Sequence, residues 1–143
     1  MAVLCVPHER CLGPAPGLIS AEQKAEHAAL ALYGLHQQSQ KNPMHKPGVS
    51  VGAALRTLRG SGEYSEAALD RRVNAAATAT STAALLKRLR GLVTQLRGEG
   101  IGWDYDLLLR DLVAFDHPAR RSSVRRGWGA AYYGWRGTPA DAA

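Results

Sequence analysis

Two long tracts of this sequence contain no acidic residue. From Arg71 to Gly98 there are six cations and no aspartate or glutamate: Arg71, Arg72, Lys87, Arg88, Arg90 and Arg97. From His117 to Thr138 there are five more, Arg120, Arg121, Arg125, Arg126 and Arg136, again without an acid. A carboxylate within ion-pair reach would offset a guanidinium, and neither tract supplies one locally. Both tracts read as amphipathic helices. Helices with an apolar face and unneutralised guanidinium groups elsewhere suit a polyanion, above all nucleic acid. The same pattern also fits a solvated surface in an arginine-rich composition.

Other absences narrow the class further. No apolar run approaches the ~18 residues of a membrane span. Met1–Val6 is too short for a signal-peptide core, and Glu9 follows closely, so the expected location is the cytoplasm. Cysteine occurs only at Cys5 and Cys11. Both fall in a proline-containing segment and read as free thiols rather than a disulfide framework. Alternation of period two is missing, as is any hairpin dipeptide between apolar runs, which excludes a sheet. Patterns for a nucleophile elbow, a P-loop or a zinc helix are absent too. What remains is one domain's worth of chain, 143 residues with a net charge of +6.

The periodicity predicts an all-α single helical bundle of five to six helices without a sheet. Met1–Ile19 reads as an irregular tail. A first helix starts at Ser20, where Ser20 and Gln23 fit a capping box. Its stripe is Ala25, Ala28, Ala29, Leu32, Leu35 and His36, and it stops near Ser39. A short helix spans Ser50–Leu58, ahead of the Gly60-Ser61-Gly62 break. Another runs over Ser65–Thr80 with Leu69, Val73, Ala76 and Ala77 on one face. Ser81 caps the clearest helix, which reaches Arg97. Its Leu85, Leu86, Leu89, Leu92, Val93 and Leu96 form one apolar face. Asp104 opens a helix buried through Tyr105, Leu108, Leu109, Leu112 and Phe115. Pro118 fits the first position of the last helix, which buries Val124, Trp128, Ala131, Tyr132 and Trp135. The helical domain is set at 20–137, with a frayed end over 138–143.

Few constellations suggest chemistry. Cys5, His8 and Cys11 have a ligand-like spacing but no fourth ligand, so no metal site is assigned. Asp104, Asp106, Asp111 and Asp116 cluster on one helix. Asp104 reads as its N-cap, and Asp111 and Asp116 are expected to pair with nearby arginines. Arg110, beside Asp111 and near Asp106, is likewise expected to be paired. His36-Gln37-Gln38 reads as an ordinary helix end. The pair of helices from Asp104 to Tyr133, with its short connector, is compatible with helix-turn-helix reading of DNA.

Taken in order, several segments resemble a known family. They are Ala29–Ser39 (ALALYGLHQQS), Pro43–Gly48 (PMHKPG), Val49–Leu55 (VSVGAAL), Leu69–Asn74 (LDRRVN), Leu92–Arg97 (LVTQLR) and Trp103-Asp104-Tyr105. Asp111-Leu112, His117-Pro118 and Arg125-Arg126-Gly127-Trp128 complete the series. Over roughly Ala28 to Tyr133 the chain resembles the CasB family, the small subunit of the type I-E CRISPR surveillance complex Cascade. No single segment is specific; the order and spacing are.

The resemblance implies an all-helical, non-catalytic subunit without a cofactor. It implies other Cascade subunits, guide RNA, the target and displaced DNA strands and a second copy of itself as partners. By position, Arg72, Arg90, Arg120 and Arg121 match family positions that often face nucleic acid. Arg71 and Arg97 are added as their neighbours on the helical reading. Family members carry further helices ahead of the Ala29 region, so the expectation is a chain that begins at an internal or misassigned start. A helix-turn-helix transcription factor and a protein–protein adaptor with a solubilising basic surface are the competing readings.

Overall fold

The computed structural model describes residues 19–134. Cys5, His8, Cys11, Trp135, Arg136 and the 138–143 tail lie outside the described residues, as does the N-terminal segment before Ile19. Six helices follow one another: α1 (Ala21–Gln37), α2 (Val51–Gly60), α3 (Glu66–Ala77), α4 (Thr82–Gly98), α5 (Tyr105–Phe115) and α6 (Pro118–Tyr132). The described residues hold no strand beyond a single parallel bridge between His45 and Trp103. The all-α bundle expected from the periodicity is the fold observed.

Five of the six helices start where a side chain satisfies free backbone N–H groups of the first turn. Ser20 and Gln23 exchange two hydrogen bonds of 3.1 Å in a capping box. Ser50, Ser65 and Ser81 accept from the N–H groups of Ala53, Ala68 and Ala84. The Asp104 carboxylate accepts from Asp106 and Leu107. Helix α6 has no side-chain cap and begins instead with Pro118, whose missing N–H leaves one fewer donor to satisfy. Helix α3 stops at Ala77, short of the expected Thr80. There the carbonyls of Ala77 and Ala79 accept hydrogen bonds from Arg125, and that of Thr80 from Arg121.

One core joins all six helices. Leu85, Leu89, Leu92, Val93 and Leu96 of α4 are essentially fully buried, each side chain contributing about 1.5–3 kcal/mol relative to exposure. Helix α1 lies against α4 and α5, α3 against α4, and α2 against α6. The α2–α6 contact is close because position 52 is glycine. A Cβ there would sit 2.5 Å from the Trp128 carbonyl oxygen and 2.7 Å from Ala131 Cβ. A polar clasp crosses the same region. Arg59 grips Asp70 with two hydrogen bonds of 2.9 and 3.2 Å, and the Tyr132 hydroxyl donates to Asp70 at 2.6 Å. These bonds, Arg59's first, hold the Asp70 carboxyl below the usual carboxylate range.

Candidate nucleic-acid interface

Among the described residues, nine cations of the two acid-free tracts fall into three groups. The first is structural. Arg121 donates from Nε to the Phe115 carbonyl and from one terminal nitrogen to the Thr80 carbonyl, both at 2.7 Å. Its guanidinium lies 5.3 Å from the Phe115 ring centroid. Arg125 holds Ala77 and Ala79 in the same manner. Arg97 donates to the Leu35 carbonyl and to Gln38 Oε1, tying the end of α1 to the end of α4. The absence of nearby carboxylates in the sequence does not leave these three guanidiniums without partners: backbone carbonyls at helix ends and connections accept their hydrogen bonds.

The second group gathers. Arg72 of α3 and Lys87 and Arg88 of α4 line one groove of about 300 Å³ between the two helices. Its remaining lining is Ala75, Gly91 and Leu92. The placement follows from helical geometry. Arg72 and Ala75 are three residues apart on the flank of α3 that faces α4. Lys87 and Gly91 are four apart on the flank of α4 that faces α3, with Arg88 beside them. The three cations line the groove with no acid within ion-pair distance of them among the described residues. Three positive charges around a concave, small-residue floor concentrate positive potential there. Lys87 and Arg88 were not among the site residues named from the sequence. Their acid-free tract pointed to them, but the partner that makes them part of a groove is Arg72, fifteen and sixteen positions away.

The third group is dispersed. Arg71 points into solvent on the next face of α3, and Arg120 is exposed in the first turn of α6. Arg90 is exposed on the opposite flank of α4. With Lys24 it borders a different, mostly apolar cavity of about 610 Å³ between α1 and α4. Of the six residues named from the sequence, Arg72 alone lines the cationic groove.

Three expectations about the carboxylates are corrected. Asp111 turns inward and accepts from the Trp128 indole N–H at 2.7 Å, with no arginine. Burial pushes its carboxyl above the ordinary range, and the Trp128 bond opposes this. Asp116 accepts from the Thr82 hydroxyl at 2.9 Å. Arg110 is exposed and has no acid within ion-pair distance among the described residues. Neighbouring numbers on a helix are about 100° apart, so Asp111 was never on the Arg110 face.

The His36-Gln37 pair is not an ordinary helix end. Gln37 donates to the Gln40 and Asn42 carbonyls and accepts from the Met44 N–H, shaping the loop that follows α1. Buried His36 bonds Tyr105 and Ile101. A histidine within the apolar stripe of α1 was the available signal. Asp104 also reaches the same loop, accepting from Gly48 at 2.8 Å, and that bond first, then those of α5, lowers its carboxyl's pKa. His45, Asp104 and Asp106 bring possible ligand atoms within 4.8 Å of one another. Asp104 is engaged with backbone N–H groups through both oxygens, and His45 Nδ1 accepts from the Tyr105 N–H. Those two residues serve the entry to α5.

Fold and groove together define a class: an all-helical, single-core protein that presents cations from rigid helices. Among the described residues no helix is long and apolar enough to cross a membrane. The family described as CRISPR-associated protein Cse2 matches residues 14–133. The structure of CasB from Thermobifida fusca is 36% identical and superposes with a TM-score of 0.72, covering 87% of this chain and 73% of its own. A CRISPR-associated protein of the Cse2 family from Thermus thermophilus is 25% identical, with a TM-score of 0.63, covering 93% of this chain and 73% of its own. A comparison with curated proteins finds no match. The chain belongs to the Cse2, or CasB, family of CRISPR-associated proteins.

Proposed function

We propose that this protein is a non-catalytic subunit of an RNA-guided CRISPR defence complex and holds nucleic-acid backbones through its α3–α4 face. The observation that carries this reading is the convergence of Arg72, Lys87 and Arg88 on one groove without an offsetting acid nearby. In such complexes base pairing reads sequence, while protein cations hold phosphates. Contacts to phosphates alone are blind to sequence, which a scaffold along a variable guide requires. Its partners are other Cascade subunits, the guide RNA, the target and displaced DNA strands and a second copy of the chain. The domain that does this spans residues 20–137. Arg71 on the next face of α3, Arg120 in the first turn of α6 and Arg90 on the other side of α4 supply further, separate contacts.

The test is binding of unrelated single-stranded DNA and RNA sequences by the purified chain across a salt series. Affinities should be weak and similar between sequences. They should fall by roughly 0.7 log units per log unit of salt for each phosphate neutralised. A flat salt response would support the adaptor reading. A hundredfold preference for one duplex sequence would support a transcription factor. The second outcome would have to come from a helix already engaged elsewhere, because Arg121 and Arg125 of α6 are tied to carbonyls.

A further inference from the structure

Gly91 stands in the middle of α4, seven residues from its last residue, and the other residues from Ala83 to Leu92 are all good helix formers. A glycine there costs the helix stability relative to alanine. Packing does not demand it: a Cβ built at position 91 meets nothing within 4 Å. Gly52 is the opposite case, where a Cβ would run into α6. The backbone conformation does not demand glycine either, since Gly91 is helical and is not among the glycines with positive φ. What distinguishes position 91 is its place on the floor of the groove, with Ala75, Lys87, Arg88 and Arg72 lining the same space.

We propose that Gly91 is the floor of a seat for one sugar–phosphate unit of a single strand. This rests on the nucleic-acid reading of the groove. Helix interior amides are already hydrogen-bonded within α4, so glycine adds no donor. Its contribution is depth. Without a Cβ at 91, and with only a methyl at 75, a phosphate can settle between the helices. There the Arg72 guanidinium approaches from α3 while Lys87 and Arg88 approach from α4. A phosphate held deeper is less screened by water and meets guanidinium groups at the short distances that bidentate bonds need. A single strand suits the seat because its backbone can bend into a concave groove with the bases turned outward, which keeps the contact blind to sequence.

The experiment uses the full chain and fluorescently labelled single-stranded oligonucleotides of mixed sequence at low salt. Gly91→Ala and Gly91→Leu are compared with Gly34→Ala and Gly34→Leu, and with Arg72→Glu. Gly34 is a helical glycine of α1 that is also open to solvent, with nothing within 4 Å of a Cβ. All four glycine variants should raise the melting midpoint, by roughly 3–5 °C for alanine. Gly91→Leu should weaken binding on the order of tenfold and Gly91→Ala by less, while the Gly34 variants bind as the parent does. Unchanged binding by Gly91→Leu, alongside weakened binding by Arg72→Glu, would overturn the seat and leave the cationic groove standing. Unchanged binding by both would overturn the groove reading itself. Should Gly91→Leu fail to fold, Gly91→Ala decides, since its single methyl enters open space.

Discussion

Tyr105 donates its hydroxyl hydrogen to His36 Nδ1 across 2.8 Å, joining residues 69 positions apart. The direction follows from the other ring nitrogen. Nε2 lies 2.6 Å from the Ile101 carbonyl, which can only accept, so Nε2 carries the proton and Nδ1 offers its lone pair. The neutral ring is thereby satisfied on both sides in a buried site. Trp103 packs edge-on against it, with centroids 5.6 Å apart.

This arrangement sets a pH dependence. Burial lowers the pKa of His36 below its ordinary value, the bond to Ile101 opposes this, and the Arg97 charge adds to the lowering. The folded state therefore binds fewer protons at this site than the unfolded chain. Stability from His36 should be full above the unfolded pKa of about 6.5 and fall as pH drops toward the folded one, by at most ~1.4 kcal/mol per pH unit. Urea unfolding at pH 7.5, 6.5 and 5.5 should show this decline. His36→Gln should cost about 1–3 kcal/mol at pH 7.5 and flatten the decline. An equal decline in the variant would assign it to another group.

Gly52→Ala should destabilise the fold by about 1–3 kcal/mol, as overpacking does, despite the better helix propensity of alanine. The inserted methyl would meet the Trp128 carbonyl and Ala131, forcing α2 and α6 apart. Thermal unfolding measures it, and a raised melting midpoint would contradict the close packing.

Arg121 and Arg120 are adjacent in sequence and should behave differently. Arg121→Ala removes two bonds that hold the Thr80 and Phe115 carbonyls, and should cost about 1–2 kcal/mol. Arg121→Lys should recover only part, because an ammonium lacks the fork that spans both acceptors. Exposed Arg120→Glu should stay within ~0.5 kcal/mol of the parent. Equal melting midpoints for Arg121→Ala and the parent would show that those carbonyls do not need it.

Arg72→Glu combined with Lys87→Glu should weaken single-strand binding and lower the salt slope by up to about 1.4, two phosphate contacts' worth. Arg110→Glu changes net charge by the same amount per residue. Its helix, α5, packs on α1 and α6, so the slope should remain that of the parent. A matching loss from Arg110→Glu, residue for residue, would mean that net charge governs binding and the groove does not.

The helices were legible because their causes are local. Ser20, Ser50, Ser65, Ser81 and Asp104 sit directly before apolar stripes of helical period, and each caps its helix in the structure. The family was legible through ordered short segments, which the matching family and the CasB structure bear out. Side-chain partnerships were less so. Asp111 was assigned to arginine and instead meets Trp128, seventeen residues on.

For this protein, then, the sequence by itself determined the all-α class, the starts of the helices and the acid-free cationic tracts, since capping and periodicity act within one or two turns. Only the tertiary structure decided which cations remain available. Arg97, Arg121 and Arg125 reach carbonyls that folding brings beside them, whereas Arg72, Lys87 and Arg88 meet across the α3–α4 junction. A guanidinium's partner depends on which helix ends and flanks become neighbours, and core packing across the whole chain fixes that.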